Sequence, residues 1–218
     1  MIRSTLLTKL GFVHGFSTRT ESREKFLGIL GSRAEDLVIG EQIHGTKIAV
    51  VKKSDAGHIL PGTDGLISKH LPIGVTYADC VPILAVDPRA KIIGTAHAGW
   101  KGTLAGIAKE LVLAMRNIGA KDIFVSIGPS IGVCCYNVEE ERARMFEKKF
   151  GKSIAAKISG EWYVDLARAN VKLLHDAGAR TDHIDVSGIC TSCNIDKFNS
   201  YRKDEKADFG LQLAVISL

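Results

Sequence analysis

The sequence predicts an α+β fold in a single domain spanning residues 1–218, a large mixed sheet with helices packed against it. Three observations predict it. Short Val- and Ile-rich runs bounded by Gly, Pro or Asp follow one another directly through the first half of the chain. The strongest helical stripe begins only after Gly99, and further strand-like runs come late. With 218 residues, 45% of them hydrophobic, the chain is long enough to close one sizeable core.

Taken in order, Glu21 to Leu30 reads as a short helix. Lys47–Val51, Gly74–Ala78, Pro82–Asp87 and Lys91–Ala96 read as strands. Leu104, Ile107, Ala108, Leu111 and Met115 form an i, i+3, i+4, i+7, i+11 stripe, which predicts a helix from just after Gly99 to Gly119. Asp122–Ile127 reads as a buried strand, and Gly128-Pro129-Ser130-Ile131-Gly132 as a turn. Helices are predicted over Val138–Phe150 and over Asp165–Ala177, the second stopped by Gly178. Ile184–Val186 and Leu211–Ile216 read as the last strands.

Composition excludes several function classes. The net charge of +5 is spread without a basic block, which gives no footprint for nucleic acid, although a small anionic ligand is compatible. No apolar run approaches the ~20 residues of a membrane span. Lys9 falls where a signal peptide would need its apolar segment, and five cysteines are an odd number for a secreted disulfide scaffold. A cytoplasmic protein is expected.

Three residues carry the chemistry. His44, Cys80 and His97 each sit beside a small residue where a strand pattern gives way to a turn. Together they would form a two-His, one-Cys set with a fourth position open, the coordination of a catalytic zinc. Separations of 36 and 17 residues are too long for a zinc finger, so tertiary structure must bring the three together. Taken singly, His97 also reads as a hydrogen-bonded core histidine and Cys80 as a small buried apolar residue. Gly99, Trp100, Lys101 and Gly102, at a helix start, form a candidate anion pocket. A P-loop is excluded because Trp100 separates Gly99 from Lys101 and no Gly-Lys-Ser/Thr run follows.

Cys134-Cys135 and the Cys190–Cys193 pair read as free or locally packed thiols, with a redox-sensitive Cys190/Cys193 pair as the alternative. One C-x-x-C lacks the second pair that a structural zinc needs, and adjacent cysteines are poorly suited to one ion. Asp79 adjoins Cys80 in a strand-like run, so the two side chains should point to opposite faces. That makes Asp79 a supporting or helix-capping residue.

Several blocks in order resemble the laccase-domain family: Gln42-Ile43-His44-Gly45, Thr63-Asp64-Gly65, Ala78-Asp79-Cys80-Val81-Pro82-Ile83, His97-Ala98-Gly99-Trp100-Lys101-Gly102, Gly128 to Gly132, Cys134-Cys135-Tyr136 and Phe198-Asn199-Ser200-Tyr201-Arg202. Asn137, Asn199 and Leu211 depart from its usual pattern. The resemblance implies a fold similar to a toxin-deamidase-like cysteine hydrolase, with His44, Cys80 and His97 as metal ligands. It also implies a zinc-dependent purine nucleoside phosphorylase with adenosine deaminase and methylthioadenosine phosphorylase side activity, acting on a nucleoside and phosphate. Arg19, Gln42, Lys101 and Arg202 are then the candidate substrate contacts, with surface ion pairing as the other reading of the two arginines.

Three alternatives stay open. A copper-dependent polyphenol oxidase is one, since Cu²⁺ outranks Zn²⁺ for nitrogen and sulfur donors. Seven histidines with no H-x-H pair nevertheless fall short of a three-copper cluster. A metal-free hydrolase with Cys80 as nucleophile and His97 as base is the second. A non-catalytic binding protein with a structural metal is the third.

Overall fold

A computed structural model describes residues 1–205 and 209–218. Its centre is a pair of long antiparallel strands, β7 (Val81–Asp87) and β8 (Ile92–Ala98), in which every residue is buried. Burial on both faces explains why these segments read as continuous apolar runs. They belong to a six-stranded mixed sheet ordered β13 (Ile184–Val186), β9 (Phe124–Ile127), β7, β8, β5 (Gly65–Ser68) and β3 (Ile48–Val50). A second sheet lies against it, ordered β1 (Val13–Phe16), β14 (Gln212–Ser217), β6 (Ile73–Tyr77), β2 (Val38–Gly40) and β4 (Ile59–Leu60). The three short strands β10 (Asn137–Val138), β12 (Glu161–Val164) and β11 (Ala155–Ile158) form a separate ribbon.

Period-two alternation sorts the central side chains between two cores. Val81, Ile83 and Ala85 of β7 face a helical layer, whereas Leu84 and Val86 face Ile73, Val75 and Tyr77 of the second sheet. The first two helices are α1 (Thr5–Lys9) and α2 (Arg23–Ile29), each started by a serine whose hydroxyl accepts a backbone N–H. Helix α2 covers the outer face of the second sheet, packing Phe26 and Leu27 on Leu213 and Val215. Helices α3 (Trp100–Ala105) and α4 (Ile107–Asn117) lie on the six-stranded sheet, α6 (Leu166–Asp176) packs on α3 and α4, and α5 (Glu140–Phe150) packs on the three-stranded ribbon, all within one core. The result is a mixed α+β sandwich of two sheets flanked by helices.

The expected large mixed sheet is the six-stranded one, and a second sheet is stacked on it, because β6 and β14 pair with each other and leave β7 to pair with β8 and β9. Two expectations need correction. The helix predicted from Gly99 to Gly119 is broken at Gly106, which has a left-handed φ of 105°. Its apolar stripe continues across the break, so periodicity alone does not reveal it. The start of the predicted Val138–Phe150 helix is an extended pair, Asn137–Val138, with the helix beginning at Glu140. No helix among the described residues is long and apolar enough to cross a membrane.

Leu111 is fully buried between α4 and the six-stranded sheet. Leu111→Ala is therefore expected to cost about 2–5 kcal/mol in urea unfolding. A loss below about 1 kcal/mol would contradict the packing described.

Candidate active site

The site forms where three connections meet at one end of the sandwich. His44 lies in the loop after β2, Cys80 in the turn between β6 and β7, and His97 near the end of β8. One ligand atom from each falls within 4.8 Å of the others, and the two imidazole rings meet edge-on with centroids 4.8 Å apart. His97 is buried, Cys80 half-buried and His44 exposed, so the trio opens on one side. Gly99 is part of this geometry. A β-carbon there would come within 2.8 Å of His44 Cδ2 and 3.1 Å of Cys80 Sγ, closing the space between the ligands.

Asp64 assembles the trio. Its buried carboxylate accepts the His44 N–H at 2.8 Å on Oδ1 and the Gly45 N–H at 2.7 Å on Oδ2, and Oδ1 lies 3.1 Å from His97 Nδ1. With Nδ1 engaged, His97 Nε2 is the nitrogen left for Cys80 or a metal, an arrangement metal-bound histidines commonly use. Burial opposes ionisation of Asp64, but the hydrogen bonds from His97, Gly45 and His44 outweigh it and hold the carboxyl below its ordinary range. Burial likewise opposes a charged Cys80 and a charged His97. Hydrogen bonds from His44 and His97 bring the Cys80 thiol down to about 7. Asp64, followed by Cys80, lifts His97 to about 9. Without metal the pair is a thiolate–imidazolium pair near neutral pH; with metal the same sulfur is ready to ligate.

Asp79 departs from the strand geometry expected of it. It has a left-handed φ of 77°. Its carboxylate accepts hydrogen bonds from the Thr191 hydroxyl at 2.5 Å, the Ser200 hydroxyl at 3.0 Å and the Arg202 N–H at 2.8 Å. It caps no helix; it ties the turn holding Cys80 to the segment that forms the cleft wall.

A cleft of about 710 Å³ opens over the trio, within the range of roughly 300–1,000 Å³ typical of small-molecule sites. Lys101 and Arg202 line it, as does Gln42. The Gln42 carboxamide, however, is committed to the backbone of Thr76, donating to its carbonyl at 2.7 Å and accepting from its N–H at 2.7 Å. Arg202 is braced against the Asn137 carbonyl at 3.1 Å. Arg19 is not among the residues lining the cleft; it engages the Ile195 carbonyl and Asp204. The expected anion pocket at a helix start is weaker than predicted, because α3 has only six residues before Gly106.

Sequence reasoning passed over four contributors. Asp64 was visible only as part of a Thr-Asp-Gly turn, and its role depends on pairing across β5 and β8. Arg142 is the third cation of the cleft, lying 4.3 Å above the Trp100 ring. Tyr136, whose hydroxyl is buried without a hydrogen-bond partner among the described residues, and Tyr201 supply aromatic surface. The apolar cleft wall had no local sequence signal.

Residues 17–218 match the family described as multi-copper polyphenol oxidoreductase laccase. The chain belongs to this family. It is 36% identical over 211 residues to purine nucleoside phosphorylase YlmD of Geobacillus stearothermophilus, covering 89% of this chain and 77% of that one. It is 34% identical over 189 residues to adenosine deaminase RL5 from an unknown prokaryotic organism, covering 80% and 72%. The fold superposes on the crystal structure of the Bacillus licheniformis hypothetical protein YfiH with a TM-score of 0.89, at 29% identity, covering 95% and 93%. The site offers one two-His, one-Cys group. Among the described residues there is no histidine-rich second cluster, so the donors do not fit a multicopper centre.

Two outcomes check this geometry. In metal-stripped protein, the rate of Cys80 alkylation by iodoacetamide should rise with pH through a midpoint of about 7, because only the thiolate reacts; a midpoint at the ordinary thiol value of about 8.5 would contradict the His44 and His97 contacts. Asp64→Asn sets an amide N–H₂ against donors and should weaken zinc binding by roughly 10–100-fold in a competitive chelator titration.

Proposed function

We propose that the protein is a zinc-dependent purine nucleoside phosphorylase that splits adenosine or inosine with phosphate into free base and ribose 1-phosphate. Adenosine deaminase and methylthioadenosine phosphorylase side activity belong to the same proposal, as does a cytoplasmic location. The observation that carries the reading is a two-His, one-Cys donor set at the floor of a cleft that has both cationic and aromatic walls. The names of the YlmD and RL5 relatives point the same way.

The donor chemistry fits zinc. Two imidazoles and a low-pKa thiol converge, the carboxylate of Asp64 orients one imidazole, and Gly99 leaves the intervening space clear. His44, Cys80 and His97 would hold the zinc, which would supply Lewis-acid chemistry there.

The remaining work falls to the chain's own side chains. Phosphorolysis joins a phosphate oxygen to the ribose C1′ as the bond to the purine nitrogen breaks, and the leaving base takes up the electron pair. A phosphate dianion must therefore be held close to a sugar that is becoming positive. Lys101, Arg142 and Arg202 bring three cations to the cleft, and Arg202 is held in place by Asn137. Tyr201 and Phe209 meet edge-on at 5.5 Å and offer a planar base an apolar wall.

A metal-free cysteine hydrolase is the second reading, and a specific observation favours it: the Cys80 sulfur and a His97 ring nitrogen lie within 4.8 Å of each other, with the thiol lowered to about 7 and the imidazole raised to about 9. The copper oxidase reading has only the single donor group, whose affinity order admits copper.

Inosine incubated with and without phosphate separates these readings. Ribose 1-phosphate should form only with phosphate. It should fall at least ~10²-fold in His44→Ala, and Lys101→Ala should raise the KM for phosphate about tenfold. Free ribose without phosphate, activity that survives chelation, or oxygen uptake in place of base release would each contradict the proposal.

A further inference from the structure

Four of the five cysteines, all except Cys80, gather at a second place in the fold. The loop after β9 brings Cys134 and Cys135, and the segment after β13 brings Cys190 and Cys193. Their sulfurs all lie within 4.8 Å of one another, with Cys193 Sγ 3.5 Å from Cys134 Sγ and 3.4 Å from Cys135 Sγ. A disulfide needs about 2.05 Å. The edge of a tetrahedron around zinc, with Zn–S bonds of about 2.3 Å, is about 3.8 Å.

The backbone is arranged to hold these four sulfurs together. Ser130 and Cys190 form a parallel bridge, in which the Ser130 N–H donates to the Ile189 carbonyl and the Thr191 N–H to the Ser130 carbonyl. The N–H groups of both Cys135 and Tyr136 donate to the Gly132 carbonyl, a tight turn that lets two adjacent cysteines aim at one point. Gly132 lets the two segments approach closely: an added β-carbon would lie 3.2 Å from Cys134 Sγ and 3.2 Å from Cys190 Cβ, so both would have to give by a few tenths of an ångström. The Gly132 N–H also donates to Cys190 Sγ at 3.2 Å, a contact that stabilises a thiolate. Asn194 closes the C-x-x-C turn with its side-chain amide on the Cys190 carbonyl at 2.8 Å. The adjacent Cys134-Cys135 pair is thus the second pair that the C-x-x-C segment lacks in the linear sequence.

We propose that Cys134, Cys135, Cys190 and Cys193 bind a zinc ion as a closed tetrathiolate, separate from the His44, Cys80 and His97 group. Four sulfur ligands leave no open position, so the ion is structural. Each thiol gives up its proton to solvent on binding. The ion fastens the start of the segment from Cys190 to Arg202 to the loop that follows β9. That segment supplies Thr191, Ser200 and the Arg202 N–H, the three groups that grip Asp79 beside Cys80. The tetrathiolate therefore braces a cleft wall without touching its floor.

The test counts metal and records a spectrum on the whole chain, purified under reducing conditions without added chelator. Elemental analysis should find about two zinc ions per chain, and about one in either His44→Ala or Cys193→Ser. Cobalt-substituted protein should show the intense sulfur-to-metal charge-transfer band of a tetrathiolate. That band should persist in His44→Ala and vanish in Cys193→Ser. Should Cys193→Ser not fold, the band in His44→Ala still decides the matter. The proposal is overturned if His44→Ala retains no zinc and shows no such band, or if mass spectrometry of the wild type finds these cysteines joined as disulfides. Because the His44 variant isolates the cysteine cluster, failure here is distinct from failure of the nucleoside phosphorylase reading.

Discussion

One buried carboxylate holds the candidate active site together. Asp64 takes backbone N–H groups from the His44 loop and faces the ring of His97 on β8, so two segments 53 residues apart share one anion. A carboxylate buried without partners would carry a penalty of several kcal/mol, and removing one partner of such a pair commonly costs about 3–5 kcal/mol. The same contacts that satisfy Asp64 fix the ring orientation of His97, and His44, followed by His97, lowers the Cys80 thiol. Position and acid–base character at this site are thus coupled.

Strain marks the surroundings of that carboxylate. Gln42, His44 and Asp79 all adopt positive φ, at 58°, 63° and 77°, each costing of order 1–3 kcal/mol for a non-glycine residue. Each is held by hydrogen bonds that no extended backbone would make. Gln42 clasps the Thr76 backbone, the His44 N–H reaches Asp64, and the Asp79 carboxylate gathers Thr191, Ser200 and Arg202. Whereas the other non-glycine residues with positive φ, Lys91 and Ser159, lie in the β7–β8 and β11–β12 turns, His44 is itself one of the convergent ligands and Gln42 and Asp79 lie within two residues of one. The stacked sheets behind them are regular and supply the rigid base.

The sequence disclosed the core more fully than the connections. β7 and β8 were legible because burial on both faces leaves an unbroken apolar run, and α6 because its stripe ends at a glycine. The break at Gly106 was hidden because α3 and α4 keep the same face inward. The large mixed sheet was legible, but the second sheet stacked on it was not, because pairing partners are not encoded in any single strand. His44, Cys80 and His97 stood out through residue type and flanking glycines, and the structure brings them together. Asp64 and Arg142 did not, since their roles arise from neighbours distant in sequence. Arg19 looked like a substrate contact on charge alone, but its partners place it elsewhere. The four clustered cysteines are free thiols, as their spacing suggests; their convergence was not legible, because it depends on the turn around Gly132 and on the Ser130–Cys190 bridge between segments distant in sequence.

Anomalous diffraction at the zinc edge, from crystals of protein purified without added metal, tests the central claim most directly. The account predicts an anomalous peak in contact with His44, Cys80 and His97 and exposed to the cleft. Diffraction showing those three side chains apart, or together around no anomalous scatterer, would contradict it.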